Sequence, residues 1–355
     1  MTPEQRVAYV AGMGARQDWW DLAREEAIDP DREVVDAHVH FWQSQDVPDP
    51  AVPGRTLRTS RFLTEDFVAL TGGHRVTGLV YIECGSGYDP SLGPGMASVG
   101  ETRFAVEQGR ALDGAGRPEL LAIAAHADLR DAQLATLLDA HEAAGAGRLR
   151  AIRQGGARME DPHARLLAGM APAGLYRDPG LHKGANLLGA RDLVFEAFLF
   201  HDQLDDLSVL ASQATGTTIV VNHLGTPVGY NRPGDADDRI FDDWRRQIDR
   251  LAAFPNLVMK LGGIASPVTE YDGGLRSVPP SSDQFVSERG RYFHAAIDAF
   301  GLERCLFESN FPVDSTAISY GTLWNAFKII AAEYPRDVGD RMLAGTARAI
   351  YGASS

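Results

Sequence analysis

The chain has 355 residues, of which 44% are hydrophobic, and its formal net charge at pH 7 is −14. This length predicts one large α/β domain or two average ones, and the acidic balance argues against nucleic acid and anionic membranes as partners. No apolar run approaches the roughly 18 residues of a transmembrane helix, and no signal peptide is expected. Two cysteines, Cys84 and Cys305, are too few for a disulfide framework, so a cytoplasmic location is the default expectation.

Residues 1–32 are predicted to form an extension that packs on a single domain comprising residues 33–355. Asp29-Pro30-Asp31 would end any helix before the first strand. Trp19 and Trp20 fit either packing on the main domain or a contact between subunits. The oligomeric state is therefore left open, with a homo-oligomer as one of the alternatives.

Alternating apolar and polar residues predict a first strand over 33–39. Seven more strands are predicted at 76–83, 120–128, 149–154, 193–200, 217–222, 256–261 and 304–308. Helical patterns alternate with them, and loops at 84–100, 226–238 and 265–283 follow three of the strands. This order indicates an α/β fold, a (β/α)8 TIM barrel with an N-terminal extension and long βα loops. A doubly wound sheet is the alternative, but it would normally bring a Gly-rich phosphate loop, and the Gly-rich stretches here lack that spacing.

His38 and His40 end the first predicted strand. Side chains alternate along a strand, so both imidazoles point the same way, roughly 6.6 Å apart along the backbone. Two imidazoles at that spacing can reach one Zn²⁺ at about 2.0–2.1 Å each. A pair of strand histidines with no ligand is the alternative interpretation.

The active site of a barrel lies at the C-terminal ends of its strands. Polar residues at the predicted strand ends are Glu83, Arg153, Gln154, His201, His223, Lys260, Glu308 and Asn310. Arg153 and Lys260 either bind a substrate carboxylate or form ion pairs with Glu83 or Asp128. Glu308 either supports a metal ligand or balances the charge of Lys260.

Five segments, in this order, resemble the amidohydrolase superfamily in its amidohydrolase-related (type 2) branch. They are DAHVHFW at 36–42, AIR at 151–153, FHDQL at 200–204, VNHLG at 221–225 and FESNFPVD at 307–314. The branch includes lactonases of sugar and aromatic-acid breakdown and metal-dependent decarboxylases. The resemblance extends from about residue 19 to residue 351, and its motifs identify the superfamily better than the substrate.

The resemblance implies a (β/α)8 barrel with a divalent metal, often Zn²⁺. It implies His38, His40 and His201 as metal ligands, and His223 as a ligand or as the group that polarises the substrate carbonyl. The family's strand-eight Asp, a ligand and the base for the attacking water, is replaced here by Asn310. Asn cannot take a proton from water near pH 7.

Three interpretations follow from that replacement. The metal remains and is held by three histidines, another group such as Glu83, Glu308 or His223 serves as the base, or the site works without metal through polarising side chains.

The predicted function is hydrolysis of a lactone or related cyclic ester or amide of a carboxylated small molecule, by a metal-activated water. The predicted roles are catalytic for His223, Asn310 and Glu83, substrate-binding for Arg153, Gln154 and Lys260, and metal-binding for His38, His40 and His201. Metal-dependent non-oxidative decarboxylation of an aromatic acid is one alternative. A non-catalytic barrel that binds a small acid is the other, and Asn310 is the residue that favours it.

Overall fold

The computed structural model describes residues 16–44, 46–48, 56–58, 60–114, 116–159, 170–228, 236–269 and 271–352. In these residues eight parallel strands form one sheet: β1 (Glu33–Val39), β2 (Arg75–Ile82), β3 (Glu119–His126), β4 (Leu149–Arg153), β5 (Val194–Ala197), β6 (Ile219–Val221), β7 (Leu257–Leu261) and β8 (Cys305–Phe307). Each strand pairs with the next in chain order, and a bridge between Val39 and Phe311 links the first to the last. The predicted (β/α)8 barrel is confirmed.

A helix follows each strand in the described part of the chain. These helices are α1 (Thr64–Leu70), α2 (Val99–Ala111), α3 (Leu134–Ala144), α4 (Pro179–Gly189), α5 (Leu204–Gln213), α6 (Ala236–Leu251), α7 (Ser282–Phe300) and α8 (Tyr320–Ala332). A short antiparallel pair, Asp46–Pro48 with Thr56–Arg58, lies between β1 and α1. After α8, a π-helical turn at Arg341–Gly345 separates two short helices, Arg336–Asp340 and Thr346–Tyr351. None of the described helices is both long and apolar enough to cross a membrane.

Two strands are shorter than their apolar runs predicted. The runs suggested strands over 193–200 and 217–222, whereas β5 ends at Ala197 and β6 ends at Val221. The chain then turns into 3₁₀ segments at His201–Gln203 and His223–Gly225. Both histidines therefore lie just beyond their strands, at the rim of the barrel.

The N-terminal segment forms hydrogen bonds to two loops at the mouth of the barrel. Trp20 is buried, and its indole N–H donates to the carbonyl of Ser315 at 3.0 Å in the loop after β8. The indole N–H of Trp19 donates to the carbonyl of Arg276 at 3.0 Å in the loop after β7. Both tryptophans thus contact their own chain, while the division into 1–32 and 33–355 stays a prediction, with residues 1–15 outside the described ranges.

Glu101 on α2 holds the loop that follows β2. Its Oε1 accepts hydrogen bonds from the backbone N–H groups of Cys84 at 2.8 Å and Ser86 at 3.0 Å, and from the Tyr81 hydroxyl at 3.0 Å. Among the described residues, the buried Oε2 has no hydrogen-bond partner. Burial, with repulsion from Glu83, raises the pKa of Glu101 to about 7.

Glu101→Gln is expected to flatten the pH dependence of stability. As the pH rises from the unfolded-state pKa of about 4.5 to 7, the folded protein keeps a proton that the unfolded chain has released. The free energy of unfolding therefore falls with rising pH, by up to about 3 kcal/mol from this group. Urea unfolding between about pH 5 and pH 8 should show this slope in the wild type and a smaller one in the variant. Glu107→Gln, exposed on the same helix, should keep the wild-type slope.

Candidate active site

A layer of charged side chains inside the barrel arises from strand alternation. Residues two apart on a strand face the same side. Val194, Val258 and Leu306 belong to the apolar cluster inside the barrel. Two residues after these in the chain are Glu196 on β5, Lys260 on β7 and Glu308 directly after β8, all fully buried.

Lys260 lies between the two carboxylates of this layer. Its Nζ is 2.9 Å from Oε2 of Glu196 and 3.9 Å from Oε2 of Glu308. The hydroxyl of Tyr351 and the side-chain amide of Asn222 also donate to Glu196. The ion pairs considered for Lys260, with Glu83 or Asp128, are not those that form. Its ammonium group is enclosed, so the structure does not bring the predicted substrate-binding lysine to the mouth of the barrel.

The carboxylate of Glu308 contacts two imidazole rings, those of His223 and His38. Its Oε1 accepts from the backbone N–H of His223 at 2.8 Å and from Nδ1 of the same residue at 2.7 Å. Its Oε2 lies 2.8 Å from Nδ1 of His38, at an angle too poor for a regular hydrogen bond. Burial alone would raise the pKa of Glu308, but attraction and hydrogen bonding from His223, with the charge of Lys260, lower it below its usual value.

A glycine makes this close approach possible. Gly263 has a φ of +66°, and a Cβ placed there would lie 2.0 Å from Nδ1 of His223. Any larger residue would displace the imidazole from Glu308, so the loop after β7 requires glycine here.

The contacts of His40 fix where its ring proton lies, whereas those of His38 are compatible with two tautomers. Nδ1 of His40 is 2.8 Å from the carbonyl oxygen of Ile82, which can only accept, so this nitrogen carries the proton. For His38, Nδ1 is 2.8 Å from the Glu308 carboxylate and 3.5 Å from the ammonium group of Lys260. The carboxylate favours a proton on Nδ1, whereas the ammonium group favours a proton on Nε2. We assign the proton to Nδ1, because the lysine contact is long, the carboxylate is close, and this tautomer leaves Nε2 for a metal.

With both protons on Nδ1, two unprotonated nitrogens face each other. Nε2 of His38 and Nε2 of His40 are 3.1 Å apart. Burial lowers the pKa of both rings well below the usual value, which disfavours a shared proton between them. Two tetrahedral zinc ligands at about 2.0–2.1 Å would be about 3.3 Å apart, close to the observed separation.

Asn310 adds an oxygen to the same point. It lies in the loop after β8 with a φ of 56°, a left-handed conformation that Asn tolerates. Its backbone N–H donates to the carbonyl of His38 at 3.0 Å, and its Nδ2 donates to Oδ1 of Asp314 at 2.9 Å. Burial lowers the pKa of His40, and the nearby side chain of Asn310 acts in the opposite direction. Nδ1 of His40 is already engaged, so we assign the amide oxygen of Asn310 to the Nε2 side of that ring. Two imidazole nitrogens and one amide oxygen are a ligand set that fits a divalent metal.

A second grouping of possible ligands shares one of these histidines. Among the residues that the structure describes, His38, His223 and Glu308 present ligand atoms within 4.8 Å of one another. Nδ1 of His223 donates to the Glu308 carboxylate at 2.7 Å, and Nδ1 of His38 lies 2.8 Å from it. Metal-bound histidines commonly donate their second ring nitrogen to such a carboxylate or carbonyl.

His201 is in contact with the loop after β6. Its Nδ1 accepts a hydrogen bond from the backbone N–H of Val228 at 3.1 Å, so a neutral ring carries its proton on Nε2. This tautomer does not favour metal binding, and the role of His201 as a ligand stays a prediction. The sequence places His201 at the rim of the barrel, but the neighbouring loop determines its tautomer.

Three further predicted residues form hydrogen bonds with neighbouring side chains or backbone groups. Glu83 accepts from Nε of Arg153 at 2.7 Å, which realises one of the two interpretations offered for that arginine. Gln154 is buried, donates to Asp128 at 3.0 Å and accepts from the backbone N–H of Leu129 at 2.9 Å. Gln154 therefore has both ends of its amide engaged, whereas Arg153 and Glu83 remain slightly exposed, with side chains 12% and 13% accessible.

Backbone strain and aromatic side chains surround the histidines. His223, Leu224 and Thr226 have φ values of 56°, 54° and 43°, uncommon for such residues and often found at functional sites. The half-buried ring of Phe198 packs edge-on against His223, with centroids 5.5 Å apart. The mouth thus has an apolar wall beside its polar centre.

The sequence interpretation gave no role to Glu196, Asp314 or Phe198. Glu196 interrupts an apolar run at 193–200, and a charge in such a run is a signal that could have identified it. Asp314 belongs to the last of the five motifs, yet its role depends on contacts that no spacing indicates. Phe198 has no sequence signal that separates it from an ordinary core residue.

Comparison with known proteins identifies the family. The family model described as amidohydrolase matches residues 35–353, nearly the whole chain. The chain belongs to the amidohydrolase family. The resemblance inferred from the five motifs is thereby confirmed.

Relatives of this amidohydrolase are found among curated proteins and solved structures. An uncharacterized protein of Sinorhizobium fredii is 29% identical over 310 residues, covering 85% of this chain and 92% of that protein. An L-fucono-1,5-lactonase of Burkholderia multivorans is 27% identical over 308 residues, covering 84% and 90%. The crystal structure of an amidohydrolase from Burkholderia multivorans with bound zinc has a TM-score of 0.67 at 22% identity, covering 90% and 98%. That structure shares the fold of this chain. Membership of the family, together with the lactonase relatives, supports a hydrolase-type enzyme that acts on small molecules.

Proposed function

We propose that this amidohydrolase is a metal-dependent hydrolase that opens a lactone, or a related cyclic ester or amide, of a carboxylated small molecule. The observation that carries the proposal is the 3.1 Å separation of Nε2 of His38 and Nε2 of His40, next to Asn310 and the His223–Glu308 pair. The lactonase of Burkholderia multivorans and the zinc-bound amidohydrolase from that organism support it.

His38, His40 and Asn310 would hold the metal, in place of the predicted set that included His201. A divalent cation bound there supplies Lewis acidity towards a carbonyl oxygen and makes a nearby water more acidic. Glu308 keeps the proton of His38 on Nδ1, and the carbonyl of Ile82 does the same for His40. Both contacts keep Nε2 available as a ligand.

His223 is the general base in this proposal. Its Nδ1–H donates to Glu308, which leaves Nε2 unprotonated, and the residue is 6% exposed at the mouth. His223 takes a proton from the attacking water as the water oxygen bonds to the carbonyl carbon, and Glu308 stabilises the resulting imidazolium. When the ring C–O bond breaks, the same proton passes to the leaving oxygen. Glu83 is less suited to this role because Arg153 engages its carboxylate.

Arg153 binds the substrate carboxylate in this proposal. Glu83 fixes the guanidinium through Nε, and the fork geometry of arginine suits bidentate binding of a carboxylate. Arg153→Lys is expected to raise KM for a carboxylated lactone by about tenfold or more, with a smaller effect on kcat. Steady-state kinetics with a matched uncharged lactone provide the control, since its KM should not change. An equal rise in KM for both substrates would contradict the role.

The proposal is tested with a panel of carboxylated, sugar and unsubstituted lactones. Ring opening is followed by proton release and by mass spectrometry, before and after removal of metal with a chelator and after restoring Zn²⁺. The expected result is a product heavier by one water, formed only by the metal-loaded protein. Loss of CO₂ from an aromatic acid would replace the hydrolase proposal by the decarboxylase alternative, and full activity after metal removal would eliminate the metal.

A further inference from the structure

Asp314 is a fully buried carboxyl group behind the candidate site, with no role in the proposed chemistry. It follows Asn310 by four residues in the loop after β8. Its Oδ1 accepts from Nδ2 of Asn310 at 2.9 Å, and its Oδ2 accepts from the backbone N–H of Ala265 at 3.0 Å. Its own backbone N–H donates to the carbonyl of Asn310 at 3.2 Å. The two side chains are therefore held in one fixed arrangement.

This arrangement removes an ambiguity inherent in an amide. The side chain of Asn has an oxygen that accepts on one side and an NH₂ group that donates on the other. A carboxylate can only accept, so Asp314 attracts the NH₂ group of Asn310. The oxygen of Asn310 must then lie on the side away from Asp314, and the backbone of Asn310 is hydrogen-bonded to that of His38, so this side faces the histidines.

We infer that Asp314 is a positioning residue, which orients the amide of Asn310 so that its oxygen, and not its NH₂ group, faces the histidines. This inference rests on the proposed function, because it is the metal that needs the oxygen. It explains how a neutral Asn can occupy the position where the family resemblance implies Asp. An amide oxygen is a suitable metal ligand only when its orientation is fixed. The buried carboxylate of Asp314, in direct contact with the amide, fixes that orientation.

The substitution Asp314→Asn should reverse that orientation. The backbone N–H of Ala265 cannot move easily, so it would retain the oxygen of the new amide. The NH₂ group of the new amide would then face Asn310, which must turn its own oxygen inward and its NH₂ group towards His40. We expect zinc affinity to fall by about 10–100-fold, as for other changes to groups that orient metal ligands. Lactone turnover at fixed zinc should fall in parallel.

The reversed pair provides the decisive comparison. Asn310→Asp alone would place two carboxylates in contact, about 2.9 Å apart in the present geometry, and should lower both the melting temperature and zinc affinity. Combined with Asp314→Asn, the new amide donates to Asp at position 310 and still accepts from Ala265. The double variant should therefore recover stability and zinc affinity that both single variants lose.

The experiment measures zinc affinity by calorimetry, melting temperature and turnover for the wild type, both single variants and the double variant. The measurements are made at several pH values between about 7 and 9, because the orienting role requires Asp314 as a carboxylate and the group is fully buried. Asp249→Asn makes the same chemical change on the exposed face of α6 and should alter none of the three quantities.

The outcomes separate the inference from the function on which it rests. Loss in both single variants with recovery in the double variant supports the positioning role. Asp314→Asn with a lower melting temperature but unchanged zinc affinity and turnover would show a merely structural residue, and would overturn the inference alone. A wild type that binds no zinc and opens no lactone would overturn the proposed function, and the inference with it.

Discussion

His38→Ala is expected to abolish lactone opening and to remove the bound metal. The change deletes one of the two Nε2 atoms that face each other at 3.1 Å and takes away a ring that contacts Glu308. Since changes to groups outside the ligand set already cost about 10–100-fold, loss of a ligand should lower kcat/KM by at least about 10³-fold. Elemental analysis of protein purified without added metal, together with turnover at saturating lactone, measures both effects.

His294→Ala is the matched control for this substitution. His294 lies on α7, is about one third exposed and faces Glu333 at 3.5 Å, away from the histidines of the site. This variant should keep both the metal and the activity. One equivalent of metal retained by His38→Ala would exclude His38 as a ligand, whatever the turnover.

Lys260→Met should destabilise the protein strongly, by about 3–5 kcal/mol in the free energy of unfolding. The variant keeps the approximate side-chain volume but leaves the buried carboxylates of Glu196 and Glu308 without their cation. Removing one partner of a buried ion pair is costly because the remaining charge has neither water nor a counter-ion. Urea unfolding at neutral pH measures the loss.

The same variant separates the two roles considered for Lys260. A residue that binds the substrate carboxylate would leave stability near the wild-type value and raise KM when replaced. Arg245→Met removes a cation from an exposed pair with Asp249 and should change stability by less than about 1 kcal/mol. If Lys260→Met were as stable as this control and had a raised KM, the lysine would be a substrate-binding residue.

The buried charges beneath the histidines favour a cation above them. Glu196 and Glu308 are each formally negative, and Lys260 supplies one positive charge, so this enclosed layer has a formal charge of −1. Charges in a low-dielectric interior act more strongly than those in water. A divalent ion held by His38, His40 and Asn310 would lie near this excess negative charge, which supports the metal-dependent proposal.

The residues of β1 show how much of the candidate site could be predicted. Alternation over Glu33–Val39 gave the strand with its observed bounds, and the spacing of His38 and His40 placed both rings on one face. The same reasoning placed His223 and Asn310 at the mouth, because the C-terminal ends of parallel strands meet there. These features depend on local periodicity and on chain order, which the sequence contains directly.

The partners of these residues were decided by the tertiary structure. Lys260 on β7 pairs with Glu196 on β5, 64 residues away, and not with Glu83 or Asp128, because alternate strands of a barrel contribute the inward side chains of one layer. His201 accepts from a backbone N–H in the loop after β6, and that contact sets its tautomer. Asp314 determines the orientation of an amide whose own sequence position is compatible with either orientation. Periodicity shows which face a side chain occupies, whereas proton positions and ion pairs depend on atoms brought near by distant parts of the chain.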